Sequence, residues 1–268
     1  MKTAVFIPVR SNSSRLPQKC YLEILGKPTI EYLIDRAKFS NVGPVVICTT
    51  NEKEDDKFVE IAKKNRVEIF RGSTEDVLGR FLSAAIKYNV DYIIDADGDD
   101  ILCEPLYMKK IKDLFLQKDY DYIAIEKLPL GLYPSGMSTR SLKIISKIKN
   151  EDSTDGWRRY YTETNIFKCH LIQAPIEHQC NELRLTLDYK EDYDLISTII
   201  NTLNLNNDLF NIDDIFKLIR KKPQLLKIND SVKALFWQNH NSKYLNVKLK
   251  PNYLEIINKM AVQEGWQY

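Results

Sequence analysis

The stretch TAVFIPVRSNSSRLPQKC, Thr3–Cys20, decides the fold. Its first seven residues are an apolar run that reads as a buried strand, Thr3–Val9. The chain then passes at once into three cations, Arg10, Arg15 and Lys19, interleaved with Ser11, Asn12, Ser13 and Ser14. A buried strand followed by a basic, hydroxyl-rich loop suits the opening of an α/β unit whose loop receives a polyphosphate. Arginine offers a planar fork to phosphate oxygens, and lysine a compact point charge. The loop holds neither GxxxxGK[ST] nor GxGxxG, so it is neither a P-loop nor a dinucleotide fingerprint. On residue chemistry alone it is equally a solvated basic loop.

Outward from this stretch the pattern alternates. A helix is expected over 28–39, with Pro28 in its first turn and Ile30, Leu33, Ile34 and Ala37 as its apolar stripe. Further strands are expected over 44–50, 67–70 and 91–97, and helices over 52–65, 74–89 (with Thr74 as cap) and 104–117. Beyond residue 118 strands are expected over 121–126 and 182–188, and helices over 191–203 and 212–222. This alternation predicts an α/β fold, a mostly parallel sheet with helices on both faces. Ligands in such sheets lie beyond the carboxyl ends of the strands, so the polar exits after Val9 and after Ile94 open on one edge. The tail keeps Leu235, Phe236, Trp237, Tyr244, Leu245, Ile256, Ile257 and Trp266, enough apolar surface to pack rather than float.

Two more stretches carry chemistry. In DYIIDADGDDILCEP, Asp91–Pro105, the aspartates Asp95, Asp97, Asp99 and Asp100 crowd the end of an apolar strand. Hard oxygen ligands at a strand terminus suit Mg²⁺. A helix cap also wants an acid there, but one rather than four. In LRLTLDYKEDYDLI, Asp188 ends an alternating run and precedes a helix, as a metal carboxylate or a capping residue. His170, His178 and His240 are scattered, and Cys20 and Cys103 have no histidine nearby in sequence, so none reads as catalytic.

Composition narrows the partners. A formal net charge of +2 over 268 residues creates no field to gather nucleic acid, so any basic site is local. No window approaches the roughly 18 apolar residues of a membrane span. The N-terminal apolar run is too short for a signal peptide. Together with cysteines scattered at 20, 48, 103, 169 and 180, without a CxxC, this leads us to expect a cytoplasmic protein with reduced thiols.

The order of IPVRSNSSRLPQK, LGKPTIEYLIDRA, VVICTTNEKEDD, FRGSTEDVLGRF, GDDILCEP and LRLTLDYKEDYDLI resembles the cytidylyltransferases that make CMP-activated acidic sugars, such as CMP-Kdo and CMP-sialic acid synthetases. It is most similar to the spore-coat polysaccharide type. The resemblance spans residues 1–230, taken as one nucleotidyltransferase domain, with 231–268 an extension packing on it or on a partner subunit. It implies the nucleotide-diphospho-sugar transferase fold, a three-layer α/β/α sandwich. It further implies CTP as substrate, an acidic sugar, sugar phosphate or phosphonate as acceptor, Mg²⁺ as cofactor, a homodimer, and a role in surface polysaccharide or glycoconjugate biosynthesis.

Carried onto these residues, the resemblance puts Arg10, Ser11, Ser14, Arg15 and Lys19 on the triphosphate, with Arg71, Gly72, Ser73 and Asp97 completing the nucleotide site. Asp99 and Asp188 fall on the metal carboxylates. Lys19, Arg15, Arg10 and Asp99 are the candidate catalytic residues. The chain departs from its relatives by having acids at Asp95 and Asp97, Ser138 and Arg140 for the usual Asp and Glu of the YPSGMSTR stretch, and DGWRRYY where relatives carry EHVT. Arg80, Arg140, Arg158 and Arg159 are therefore the candidate cations for an acidic acceptor. Two other readings stay open: a metal-dependent glycosyltransferase, for which Asp95–Asp97 supplies a DxD, and a non-catalytic CTP-binding subunit.

Overall fold

The computed structural model describes residues 1–203, 209–243 and 247–266. In chain order the elements are β1 (Thr3–Pro8), the hairpin β2 (Glu23–Ile24) and β3 (Lys27–Pro28), α1 (Thr29–Phe39), β4 (Val45–Thr50), α2 (Lys57–Asn65), β5 (Glu68–Gly72), α3 (Val77–Tyr88), β6 (Tyr92–Asp95) and α4 (Pro105–Gln117). Then follow β7 (Tyr122–Glu126), β8 (Ser135–Ser138), α5 (Thr139–Ile148), α6 (Arg159–Thr162), β9 (Cys169–Gln173), α7 (Lys190–Leu203), α8 (Ile212–Lys221), α9 (Asp230–Lys243) and α10 (Tyr253–Glu264).

The strand order is β5-β4-β1-β6-β8-β7-β9. In this seven-stranded sheet, among the described residues, only β8 runs against its neighbours, paired antiparallel to β6 and β7. Side chains of β1 alternate between the two faces. Val5 and Ile7 join α1, α2, α4, α7 and α8 in one core. Ala4 and Phe6 join α3, α5 and α6 in the other, with Ile257 of α10 packed beside them. This is the expected three-layer α/β/α arrangement.

Several local expectations shift. Helix α3 begins at Val77, because Asp76 rather than Thr74 caps it, accepting from Gly79 N. The 52–65 segment opens with a 3-10 turn, Lys53–Asp55, before α2 starts. The alternating run 182–188 forms no strand: Glu182 lies in a turn and residues 183–188 have no regular secondary structure and pair in no sheet. Strands β8 and β9 went unread, the first short and glycine-containing, the second an edge strand with a partly exposed, mixed composition. In the tail, Asn150 N donates to Lys248 O and Lys250 N to Ile148 O, tying the chain before α10 to the end of α5. Tyr244, Leu245 and the side chain of His240 lie outside the described residues.

Candidate functional site

Parallel pairing of β1 with β6, Phe6 opposite Asp95, puts the basic loop and the aspartate cluster on the same sheet edge. Gly98 lets them close. Its N–H donates to Pro8 O at 3.0 Å, and a Cβ there would lie 2.6 Å from that oxygen. A second glycine brings in the third stretch. Gly131, at φ +100°, lies against the backbone of Leu185, where a Cβ would come within 2.2 Å of the carbonyl carbon. Leu185 N then donates to Leu130 O and Leu187 N to Asp99 O. The run keeps its period of two: Leu183, Leu185 and Leu187 enter the core. Arg184, Thr186 and Asp188 therefore share the opposite side.

Lys19 joins the stretches. Gln18, in the left-handed conformation at φ 53°, precedes the short turn that starts at Lys19. The ammonium Nζ lies 2.8 Å from both Asp99 Oδ2 and Asp188 Oδ1. Burial alone would lower its pKa, but the two carboxylates outweigh burial and hold it above the ordinary lysine value. Burial would likewise raise Asp99, yet Lys19 holds it below the usual carboxylate value. Arg15 Nη2 reaches Asp188 Oδ1 at 2.6 Å, and Arg184 Nη2 reaches Oδ2 at 3.3 Å. Arg184 also pairs with Asp192, whose other oxygen accepts from Asp188 N and Tyr189 N at the start of α7.

Next to this lies a second knot. Arg158 Nη2 lies 2.9 Å from Asp95 Oδ2 and 2.8 Å from Asp97 Oδ2. Asp95 is fully buried, and burial together with Asp97 pushes its carboxyl well up, against the pull of Arg158. With Asp95 sealed away, Asp95 and Asp97 do not jointly face a diphosphate. Asp100 is also pushed well up, by burial and by Asp99 and Asp97. Carboxylate oxygens of Asp97, Asp99 and Asp100 lie within 4.8 Å of one another. An all-oxygen donor set of this kind fits a hard divalent cation such as Mg²⁺.

The other candidate residues divide. Arg10 is exposed, 3.9 Å from Asp155. Ser14 is exposed on the loop. Ser11 is turned inward, its N–H on Asp55 Oδ1 at 2.7 Å and its hydroxyl between Tyr21 Oη and Glu54 O. Asp55, which the sequence did not single out, also accepts from the hydroxyls of Thr49 and Thr50, and so anchors the root of the basic loop. Arg71 spends its guanidinium on Thr50 O, Glu52 O and Asp56. The hydroxyl of Ser73 accepts from Asp76 N, and its carbonyl from Arg80 Nη1. Gly72 packs on Arg80, a Cβ there falling 3.2 Å from Arg80 Cγ. Arg80 is buried, and among the described residues no carboxylate lies within ion-pair distance of it. Burial lowers its pKa, and nearby Arg10 adds to that.

The acceptor cations are only partly brought together. Arg140 is displaced from the site: β8 runs antiparallel to β6, so Ser138 lies opposite Tyr92 and the chain leaves β8 at the far edge of the sheet. There Arg140 pairs with Asp119 and Asp121, both at 2.8 Å. Arg158 is committed to Asp95 and Asp97, and Arg159 holds Glu163 one helical turn on. Arg184 and Asp192 were missed, although the alternation of LRLTLD already sets Arg184 beside Asp188.

A family model described as cytidylyltransferase matches residues 4–215. An uncharacterised protein of Methanocaldococcus jannaschii is 30% identical over 87% of this chain and 96% of its own length. The spore coat polysaccharide biosynthesis protein SpsF of Bacillus subtilis is 25% identical over 81% of this chain and 93% of its own. Among solved structures, a cytidylyltransferase from Leptospira borgpetersenii is 31% identical and superimposes with a TM-score of 0.77, covering 84% of this chain and 97% of the other.

Proposed function

The chain belongs to the cytidylyltransferase family and is a CTP-dependent nucleotidyltransferase, and we propose that it transfers CMP to an acidic sugar, sugar phosphate or phosphonate with release of pyrophosphate. The observation that carries this reading is Lys19, its ammonium 2.8 Å from two carboxylates that come from separate stretches of the chain. It brings the basic loop of β1 against the acidic ends of two other segments. That is the pairing an in-line displacement at the α-phosphorus needs: cations for the leaving diphosphate, carboxylates for the attacking side.

In this reading Lys19, Arg15 and Arg10 take the triphosphate oxygens and offset the charge that grows on pyrophosphate as it leaves. Ser14 and the backbone of the loop orient the chain of phosphates, and Gly72 and Ser73 border the nucleoside. Arg71 acts indirectly, closing the loop that carries them. Asp99 and Asp188 would hold Mg²⁺, with Asp97 and Asp100 adjoining. Bound there, the ion would polarise the α-phosphate and lower the pKa of the attacking oxygen. Arg158 keeps Asp97 in place. Arg80, a buried cation with no carboxylate within ion-pair distance among the described residues, is the group best suited to meet an anionic acceptor.

The test is pyrophosphate release by the purified full chain with each nucleoside triphosphate, Mg²⁺, and a panel of acidic sugars, sugar phosphates and phosphonates. Release with CTP and one acceptor class is the expected result. Turnover of nucleotide-sugars alone would favour a glycosyltransferase, and CTP binding without any release would favour a regulatory subunit.

A further inference from the structure

The family model ends at residue 215, yet a helix well beyond it reaches the site. Phe236, on α9, is only 6% exposed. Its ring centroid lies 4.2 Å from the guanidinium carbon of Arg184 and 5.9 Å from that of Arg15. The Tyr189 ring lies 5.7 Å and 5.8 Å from the same two carbons. Both guanidinium groups end on Asp188, one on each oxygen. Two aromatic rings are thus shared by the two arginines that flank one carboxylate.

The approach to α9 is built to hold this. Asn229, fully buried, donates to Arg184 O and to Asp192 Oδ1, each at 2.9 Å. Further along the helix, Asn239 Nδ2 donates to the Tyr189 hydroxyl at 3.2 Å. The C-terminal segment therefore touches Arg184, Asp192, Tyr189 and Arg15, all within or next to the cluster around Asp188.

We propose that Phe236 is a positioning residue for the nucleotide site, its ring restraining Arg15 and Arg184 beside Asp188. This rests on the triphosphate reading of Arg15 given above. Arg15 is a long side chain from an exposed loop, with many rotamers open to it. A ring face within about 6 Å attracts a guanidinium and narrows that choice without removing its charge. Binding the triphosphate then costs less ordering of the side chain. The helix beyond the family-matched region is on this account a wall of the site, and its aromatic residue acts through two arginines rather than on the substrate.

The test is CTP affinity in Mg²⁺, measured by calorimetry on the full chain, for wild type, Phe236→Leu, Phe236→Met and Phe236→Tyr. Leucine and methionine fill the buried space without a ring, and circular dichroism checks that each variant is folded. Loss of the ring is expected to weaken CTP binding about five- to tenfold, and tyrosine to return it to within about twofold. In an Arg15→Ala background, Phe236→Leu is expected to cost clearly less than it does in wild type, because part of the ring's effect runs through Arg15 and the rest through Arg184. Wild-type affinity in a folded Phe236→Leu or Phe236→Met variant, or full additivity with Arg15→Ala, overturns the proposal while leaving the transferase reading intact. Failure of the wild-type chain to bind CTP overturns both.

Discussion

The ammonium of Lys19 and the carboxylate of Asp188 meet at 2.8 Å across a sequence separation of 169 residues. Nothing local holds them together: Lys19 comes from the loop after β1, and Asp188 ends a run anchored by Gly131 and Asp99. In Lys19→Ala, Asp188 keeps Arg15 and Arg184, so the fold is expected to persist. Pyrophosphate release should fall about 10²–10³-fold, the loss typical of removing one charge-stabilising donor. Asp99→Asn should lose turnover to a similar extent. Near wild-type release by either folded variant would show that the pair is structural.

Arg158 compensates two acids at once. Arg158→Ala leaves Asp95 buried beside Asp97 with no cation. Removing one partner of a buried ion pair costs roughly 3–5 kcal/mol, but Asp95, whose carboxyl is already pushed well up, can take up a proton, and Arg158 is partly exposed, so this case falls below that range. Adding Asp95→Asn to Arg158→Ala should restore part of the loss. Urea unfolding of the two single variants and the double variant measures it, and simple additivity would deny the coupling.

Asp55 gives the acid limb of stability a specific source. Burial would raise its carboxyl, but hydrogen bonds from Thr50, Ser11 and Thr49 override burial and hold it below the usual value. A carboxyl depressed in the folded state stabilises above its unfolded pKa, near 3.9, and loses that contribution as pH falls through the lower folded value. Asp55→Asn should therefore be less stable than wild type at neutral pH, the gap closing as the pH drops below about 4. A gap independent of pH would assign the effect to geometry alone.

Gly98→Ala tests the approach of the two strand exits. The new methyl would fall 2.6 Å from Pro8 O and 2.9 Å from Val9 Cβ, so the β1 and β6 loops must separate. A cost of about 1–3 kcal/mol is expected, the usual range for overpacking, together with a loss of activity larger than the loss of folded protein. Specific activity corrected for the folded fraction distinguishes the two.

Arg140→Ala should behave in the opposite way. Its partner Asp121 is buried, so melting temperature is expected to fall. The acceptor KM and turnover of the protein that remains folded should not change, because Arg140 lies at the far edge of the sheet. A raised acceptor KM would return Arg140 to the site through a partner subunit.

The parallel core was legible because β1, β4 and β6 are apolar runs separated by well-patterned helices. So was the basic loop, whose residue types state their chemistry without help from the fold. Residues 182–188 show the limit of pattern. LRLTLD alternates as a strand does, and the alternation is real, but it serves to sort leucines from Arg184, Thr186 and Asp188 rather than to join a ladder. Arg140 shows another limit: its sequence neighbourhood matched an acceptor segment, while strand direction, which local sequence does not encode, carried it to the wrong edge. Asp55 was invisible for a related reason, and Phe236 was legible only as packing in the tail, since what each touches is set by the fold and not by its neighbours in sequence.

The pairing of Lys19 and Arg15 with Asp99 and Asp188 has a consequence for how ligands enter. The cleft supplies its own counterions, so the groups suited to phosphate are held by the groups suited to a divalent cation. A nucleotide alone would strip cations from carboxylates and leave those bare, and a metal ion alone would do the reverse. The two arriving together amount to an ion exchange in which every charge finds a new partner. By linkage, each then tightens the binding of the other by the same factor.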